Sequence, residues 1–82
     1  VRLLQVAGGK ARLIEVTLSD DSPVREQQLV DVGFPRGSSV VAIVRSGNVV
    51  VPRGDTSFHV GDEVIVLVTD EAEAEVTALL VR

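Results

Sequence analysis

The apolar residues of this chain come in short runs rich in valine and isoleucine, and this pattern most constrains the fold. The clearest runs are residues 40–44, 49–51 and 64–68. Side chains branched at Cβ favour strands, and turn-forming residues separate the runs. No run approaches the roughly 20 apolar residues that a membrane-spanning helix needs. The sequence therefore predicts a small β-rich domain that does not insert into a membrane.

The N-terminal part of the chain predicts a β-hairpin. Two apolar-rich runs, residues 1–6 and 11–18, flank the pair Gly8-Gly9. Paired glycines readily adopt the positive φ angles that a tight reversal needs. Apolar residues alternate with other residues over positions 14–18, which is typical of a strand with one buried face.

Two helices are predicted, each from the spacing of its apolar residues. In residues 24–32 most positions are polar, while Leu29 and Val32 lie three apart, which favours a short amphipathic helix. Near the C-terminus, Asp70 is expected to be an N-cap and Glu73 to complete a capping box. The apolar residues that follow share one helix face.

The remaining elements complete a prediction of the fold class. Residues 39–45 are predicted to be the central strand, covered on both faces, because their apolar run is continuous. The Gly-Asn pair at 47–48 predicts a two-residue hairpin turn, residues 63–69 predict another strand, and Phe58 is expected to fill the core. We predict one α+β domain over residues 1–82: a small, mostly antiparallel sheet with helices on one face, in the order roughly β(β)αβββα.

Composition excludes several kinds of site and partner. The chain has no cysteine and one histidine, so it offers no thiol catalysis, zinc ribbon or histidine-based metal site. A net charge of −4 and only two aromatic residues oppose binding to nucleic acid. His59 lies near Ser57 and Asp62, but this segment lacks the elbow turn of a serine hydrolase, so His59 is interpreted as a surface turn residue. We predict neither an enzyme nor a metal site.

Three arginines flank the predicted strands and form the candidate ligand site. Arg36 precedes the predicted central strand, Arg45 ends it, and Arg53 follows the next strand. Guanidinium groups bind phosphate and carboxylate oxygens, so convergence of at least two of these arginines would favour a small anionic, nucleotide-like ligand. Solvated arginines at strand ends are the alternative interpretation. The walls of the groove would be Ser39, Val40 and Pro52.

Four segments occur in a characteristic order along the chain. They are VVAIVR at 40–45, VVVP at 49–52, GDT at 54–56 and GDEVIV at 61–66. This order resembles the TrkA C-terminal (RCK_C) domain of bacterial potassium transport regulators, from about residue 11 to residue 80. The resemblance implies a cytoplasmic regulatory domain that senses a ligand, forms homodimers and modulates a membrane cation channel or transporter for potassium uptake. The domain would be held at the inner face of the cell membrane by its association with that transporter.

The resemblance also implies a longer polypeptide. An N-terminal Rossmann-type domain usually precedes this module, so we expect the chain, which has no methionine, to be a fragment. NAD or ATP would bind in that other domain, and no cofactor is expected in this one. Some relatives bind cyclic di-AMP with residues that correspond to Arg36, Ser39 and Val40. Ser39 stands where those relatives have asparagine, and Arg36 where an aromatic residue is expected, so the sequence does not predict cyclic di-AMP itself.

Other functional classes use folds of this size. A peptide- or protein-binding module without a small-molecule ligand would add a strand to an open sheet edge. A lipoyl or biotinyl carrier domain also contains a GDEV-like strand, but it presents a lysine at a hairpin tip. Here the tip is Ser-Gly-Asn at residues 46–48, which argues against a carrier.

Overall fold

The structure is a computed structural model that describes residues 2–81. They form one five-stranded sheet and one α-helix, in the spatial strand order β1-β2-β5-β3-β4 with every neighbouring pair antiparallel. None of the helices in this range is long and apolar enough to cross a membrane. The predicted α+β class is confirmed. The elements are β1 (Arg2–Val6), β2 (Ala11–Thr17), β3 (Ser38–Arg45), β4 (Asn48–Val50), β5 (Glu63–Thr69) and α1 (Asp70–Leu80), with 3₁₀ turns at Ala7–Gly9 and Leu29–Asp31.

One face of the sheet packs against α1 and forms the hydrophobic core. Because successive side chains of a strand point to opposite faces, alternate residues of β2 and β5 lie on this face. Their register places Ile14 beside Val66 and Val16 beside Val64. Phe58 is completely buried in the core, as predicted. The helix contributes Ala72, Val76 and Leu80.

The opposite face of the sheet is only partly covered. It carries one row of Leu13, Leu67 and Ser39, and a second row of Glu15, Ile65 and Ala42. None of these six residues is buried. We call this surface the open face.

The prediction that residues 39–45 form the central strand is wrong, because β5 occupies that position between β2 and β3. Only Ile43 of β3 is buried, so β3 is not covered on both faces either. The register shifts between Val40 and Ala42, which makes Val41 the extra residue of a β-bulge. The bulge reverses the faces on which the residues after Val41 lie, so Ala42 is on the open face and Ile43 is in the core. The continuous apolar run therefore does not mark a strand that is buried on both faces.

The helix predicted over residues 24–32 is not formed. This segment contains turns and the 3₁₀ turn at Leu29–Asp31, and Glu26 has a φ of 65°, which a right-handed helix cannot accommodate. Several of its backbone hydrogen bonds go to a distant segment instead. The N–H of Glu26 donates to the carbonyl of Phe58 at 2.7 Å, and the N–H of Phe58 donates to the carbonyl of Gln27 at 2.9 Å.

Both hairpins are confirmed, and one turn differs from its prediction by one residue. Gly8 and Gly9 lie in the turn between β1 and β2 with φ angles of 67° and 89°. Val1, the first residue of the predicted first run, lies outside the described residues. Between β3 and β4 the turn residues are Ser46 and Gly47, whose positive φ angles of 52° and 78° fit a type I′ turn. Asn48 belongs to β4, where it pairs with Arg45.

The C-terminal helix is confirmed, but its predicted capping box is not formed. Thr69 is the N-cap and makes no side-chain capping hydrogen bond, while Asp70 is the first helical residue. The carboxylate of Asp70 instead forms an ion pair with Arg12, which also lies 3.1 Å from Glu73. Arg12 thereby joins β2 to the first turn of α1. Acidic side chains in this turn also stabilise the helix, because they interact favourably with the positive end of its dipole.

Candidate functional site

Most of the predicted ligand-binding residues lie toward the N-terminal end of β3. Arg36 precedes this strand by two positions. β4 runs antiparallel to β3, and Val50 lies opposite Ile43, so the chain that follows β4 returns toward the same end. The residues that the topology brings toward this end are Arg36, Ser39, Val40, Pro52 and Arg53.

Arg45 lies at the other end of β3. The strand runs from Ser38 to Arg45, and seven steps of about 3.3 Å place these two residues about 23 Å apart. Arg36 and Arg45 therefore do not converge within one chain. That pair of arginines cannot bind one small anion together unless a second molecule contributes one of them.

The side chain of Arg45 forms a two-point ion pair with Asp62. Its Nε donates to Oδ1 at 2.9 Å, and its Nη2 donates to Oδ2 at 2.8 Å. Nη2 also donates to the backbone carbonyl of Ser57 at 2.8 Å. The side chain of Asp62 is only 1% exposed and accepts a further hydrogen bond from the backbone N–H of His59 at 2.9 Å.

These contacts keep both members of the pair charged. Burial alone would raise the pKa of Asp62. The hydrogen bonds from Arg45 and from the His59 N–H, together with the positive charge of Arg45, outweigh burial and hold the pKa below its ordinary value. The hydrogen bond to Asp62 likewise raises the pKa of Arg45. The pair therefore fastens the end of β3 to the turn before β5. We call it the Arg45–Asp62 lock.

The sequence reasoning missed this lock and assigned Arg45 to a ligand. The available signal was the pairing of β3 with β5, which brings Val44 opposite Glu63. The next residue of β3 then lies beside the residue that precedes β5, and these two residues are Arg45 and Asp62. His59 is exposed in the same turn, which confirms its interpretation as a surface turn residue.

A shallow cavity of about 270 Å³ opens between the first residues of β3 and the last residues of β5. Its lining includes Ser39, the predicted ligand residue on the open face, together with Gly37, Leu67 and Thr69. Gly37 has a φ of 84°, and its carbonyl accepts the Thr69 N–H at 2.9 Å. A Cβ at position 37 would lie 2.6 Å from the Thr69 hydroxyl, so only glycine permits this close approach.

The two remaining arginines of the candidate site are exposed. Within residues 2–81, neither Arg36 nor Arg53 forms an ion pair. The backbone of Arg53 is fixed by Thr56, whose hydroxyl accepts the Arg53 N–H at 2.9 Å and whose N–H donates to the Arg53 carbonyl at 3.0 Å. Both guanidinium groups are therefore accessible to a ligand.

Known proteins similar to this chain include regulators of potassium uptake and RCK domains. Trk system potassium uptake protein TrkA of Mycobacterium tuberculosis is 36% identical over 80 residues, which are 98% of this chain and 36% of that protein. The chain thus spans about a third of the length of this relative. An RCK domain solved with cda is 29% identical, with a TM-score of 0.73 over 84% of this chain and 97% of that domain.

A further similar structure supports the fold. The RCK_C domain dimer of S. agalactiae BusR in complex with c-di-AMP is 21% identical, with a TM-score of 0.70 over 83% of this chain and 93% of that one. The TrkA-C domain family matches residues 13–81, which include most of β2 and all of β3, β4, β5 and α1. With this match over most of its length, the chain belongs to the TrkA-C domain family, as the order of its segments predicts.

Proposed function

We propose that this chain is a regulatory domain of a potassium uptake system, which senses a ligand, forms a homodimer and modulates a membrane cation channel or transporter. The observation that carries this proposal is the family match over residues 13–81, supported by the 36% identity to a TrkA protein. The domain would act at the cytoplasmic face of the membrane through its transporter, without catalytic activity of its own. NAD or ATP would bind in an N-terminal Rossmann-type domain of the same polypeptide rather than here.

Such a regulator works if the ligand prefers one arrangement of two copies. A ligand that contacts both copies shifts their equilibrium toward the arrangement that it binds more tightly, and the attached transporter responds to that shift. Self-association also suits a chain of this size, since an 82-residue domain without disulfides has limited apolar surface to bury on its own. Exposed aliphatic residues such as Val49 and Val51 are available for a contact with a second copy.

The ligand that this site suits is a small nucleotide-like anion. At the N-terminal end of β3, Ser39 lines a cavity, and Arg36 and Arg53 are the cations that the topology brings toward that end. Pro52 is a proposed wall of the site. Val40, the other proposed wall, lies opposite Val66 and packs against the core, on the other face of the sheet from Ser39. Guanidinium groups bind phosphate oxygens through paired hydrogen bonds. The similar RCK domain solved with cda supports a ligand of this class. Arg45, a sixth predicted residue, is assigned to the lock rather than to this ligand.

Calorimetric titration with cyclic di-AMP, ATP and NAD tests the proposal. We expect saturable binding of a cyclic dinucleotide that weakens at least about tenfold, equivalent to ~1.4 kcal/mol, in Arg36→Gln or Arg53→Gln. Arg25→Gln is the matched control, because Arg25 is an exposed arginine that bonds the Ser22 carbonyl at 2.8 Å. Absence of cyclic di-AMP binding would contradict the ligand-sensing part of the proposal. A loss of affinity in Arg25→Gln equal to the loss in Arg36→Gln and Arg53→Gln would contradict it as well.

A second candidate function is an edge-strand module that binds a peptide or protein without a small-molecule ligand. The observation that favours it is the outer edge of β4, where Val49 and Val51 are 68% and 75% exposed. This edge would accept a strand from a partner by backbone hydrogen bonding. Loss of all nucleotide binding together with saturable binding of an extended peptide would favour this second function.

A further inference from the structure

β4 is the edge strand beside β3, and its hairpin determines which of its backbone groups are unpaired. In a two-residue hairpin the residues that flank the turn, Arg45 and Asn48, exchange both hydrogen bonds. Hydrogen-bonded and non-hydrogen-bonded pairs then alternate along the strands. Val50 therefore bonds to Ile43, whereas the N–H and C=O of Val49 point away from the sheet.

The pairing of β4 with β3 ends at Val50. Continued one residue further, the same alternation directs the N–H and C=O of Val51 outward, and Pro52, which has no N–H, ends the series. The outer edge thus offers two donors and two acceptors, placed symmetrically on either side of Val50. No strand within residues 2–81 covers this edge.

This edge lacks the features that normally prevent strands from associating. Charged side chains, bulges or an inserted proline protect most exposed edges, whereas residues 46–52 contain no charge and their only proline is at the end. Val49 and Val51 are instead highly exposed β-branched residues, at 68% and 75%. Val49 lies opposite Val44, so its side chain continues the open face. These features indicate an interface rather than a solvated edge.

We propose that β4 pairs antiparallel with β4 of a second copy, about a two-fold axis through Val50. In this register Val49 lies opposite the partner's Val51, and the two residues exchange both of their outward hydrogen bonds. The symmetry repeats this pair on the other side of the axis. Val50 lies opposite Val50 of the second copy, in a non-hydrogen-bonded pair. The two five-stranded sheets become one continuous sheet. This proposal rests on the proposed homodimer and specifies its interface.

A second copy fits this edge for a reason of symmetry. Outward groups at Val49 and Val51 are equidistant from Val50, so the strand is complementary to itself after a two-fold rotation. The contact also contains no charged side chain, which matters because each chain carries a net charge of −4 and two copies repel each other elsewhere. Cross-strand pairs of β-branched residues stabilise such a ladder.

Single cysteines test the register, because the chain has no cysteine of its own. In the proposed pair, the two Cα atoms at position 50 are about 4.5 Å apart, which a disulfide can bridge. The two Cα atoms at position 49 are not opposite each other but are separated by two residues along the strand direction. They lie about 8 Å apart, beyond the roughly 7 Å Cα–Cα limit for a disulfide. We therefore expect Val50→Cys to form a covalent dimer under mild oxidation, and Val49→Cys not to.

Accessibility alone predicts the reverse order of cross-linking, because Val49 is exposed and Val50 is half-buried. Val60→Cys, at a valine that is 49% exposed in the turn before β5, is the control for random collisions. Cross-linking of the variants at positions 49 and 60 to the same extent as at position 50 would overturn the register.

Charge exchange tests the same pairing in solution. Val49→Lys and Val51→Glu should each weaken the dimer at least about tenfold by sedimentation equilibrium, because each places a charge in an apolar contact. The double variant should recover most of the affinity, since each introduced lysine then faces an introduced glutamate of the other copy.

Leu67→Lys, on the open face, separates edge pairing from stacking of the two open faces. A dimer abolished by Leu67→Lys but unchanged by Val49→Lys would overturn the edge interface and leave the homodimer intact. A wild-type chain that is monomeric at all concentrations would overturn the homodimer itself. The failure of this inference is therefore distinguishable from the failure of the proposed function.

Discussion

Arg45→Ala should be among the most destabilising single substitutions at the partly exposed positions of this domain. It removes both guanidinium hydrogen bonds from the Asp62 carboxylate and leaves only the His59 N–H on a group that is 1% exposed. Removing one partner of a buried ion pair costs about 3–5 kcal/mol. Because the Arg45 side chain is 29% exposed, water can partly replace it, so we expect a loss near the lower limit, about 3 kcal/mol.

Urea unfolding at one fixed protein concentration measures this loss. A constant concentration is needed because self-association adds to the apparent stability. With an m-value of about 1 kcal/mol/M for a small domain, the midpoint should fall by about 3 M. Arg53→Ala is the matched control, since Arg53 is exposed and forms no ion pair within the described residues, and it should change stability by less than about 0.5 kcal/mol.

A double-mutant cycle shows whether the loss comes from the pair itself. Asp62→Asn, Arg45→Ala and the double variant should give a coupling free energy of at least about 1.5 kcal/mol between the two positions. Losses that simply add, or a loss below about 1 kcal/mol in Arg45→Ala, would refute the argument that the lock stabilises the end of β3.

The lock also predicts a specific dependence on pH. The pKa of Asp62 is held below its ordinary value in the folded chain, so the unfolded chain binds a proton at higher pH than the folded chain does. The stabilisation is therefore complete above about pH 5, decreases below about pH 4 and is lost as the pH falls through the folded pKa. The difference in stability between the wild type and Asp62→Asn should narrow as the pH falls from 7 to 3. A constant difference would show that ionisation of Asp62 does not contribute.

Three further substitutions and one control variant test local features of the fold by thermal and urea unfolding. Ser46→Asn should stabilise by about 0.5 kcal/mol, or a few degrees in Tm, because asparagine suits the positive φ of a type I′ turn, and a lower Tm would contradict that turn. Glu26→Gly should stabilise by up to about 1 kcal/mol by relieving a φ of 65°, whereas Gln27→Gly, where φ is not positive, should destabilise, and equal effects would argue against strain. Phe58→Ala should cost about 3–5 kcal/mol as a core cavity, and a loss below 1 kcal/mol would contradict its complete burial.

Local patterns predicted the elements whose structure depends on neighbouring residues. The strand at Glu63–Thr69 and the helix at Asp70–Leu80 follow from apolar periodicity, which reports the face that an element buries. The hairpin at Gly8-Gly9 follows from glycine's freedom to adopt positive φ. The family resemblance follows from the order of several such segments, because turn and strand residues recur at fixed spacings when the fold is the same.

Long-range pairing decided the features that the sequence did not predict. The helix expected over residues 24–32 does not form because its backbone groups bond to the segment near Phe58, an interaction that no local pattern reports. The bulge at Val41 reverses the faces of the sheet on which the following residues of β3 lie.

The candidate site shows the same division between local and tertiary information. The sequence alone determined that arginines flank the strands and that Ser39 begins one of them. Only the strand order could show that Arg45 meets Asp62, seventeen positions away, and therefore serves the fold, while Arg36 and Arg53 remain exposed toward the opposite end of β3. The physical reason is that an ion pair depends on which strands are neighbours in the sheet, and strand order follows from packing of the whole chain rather than from any short segment.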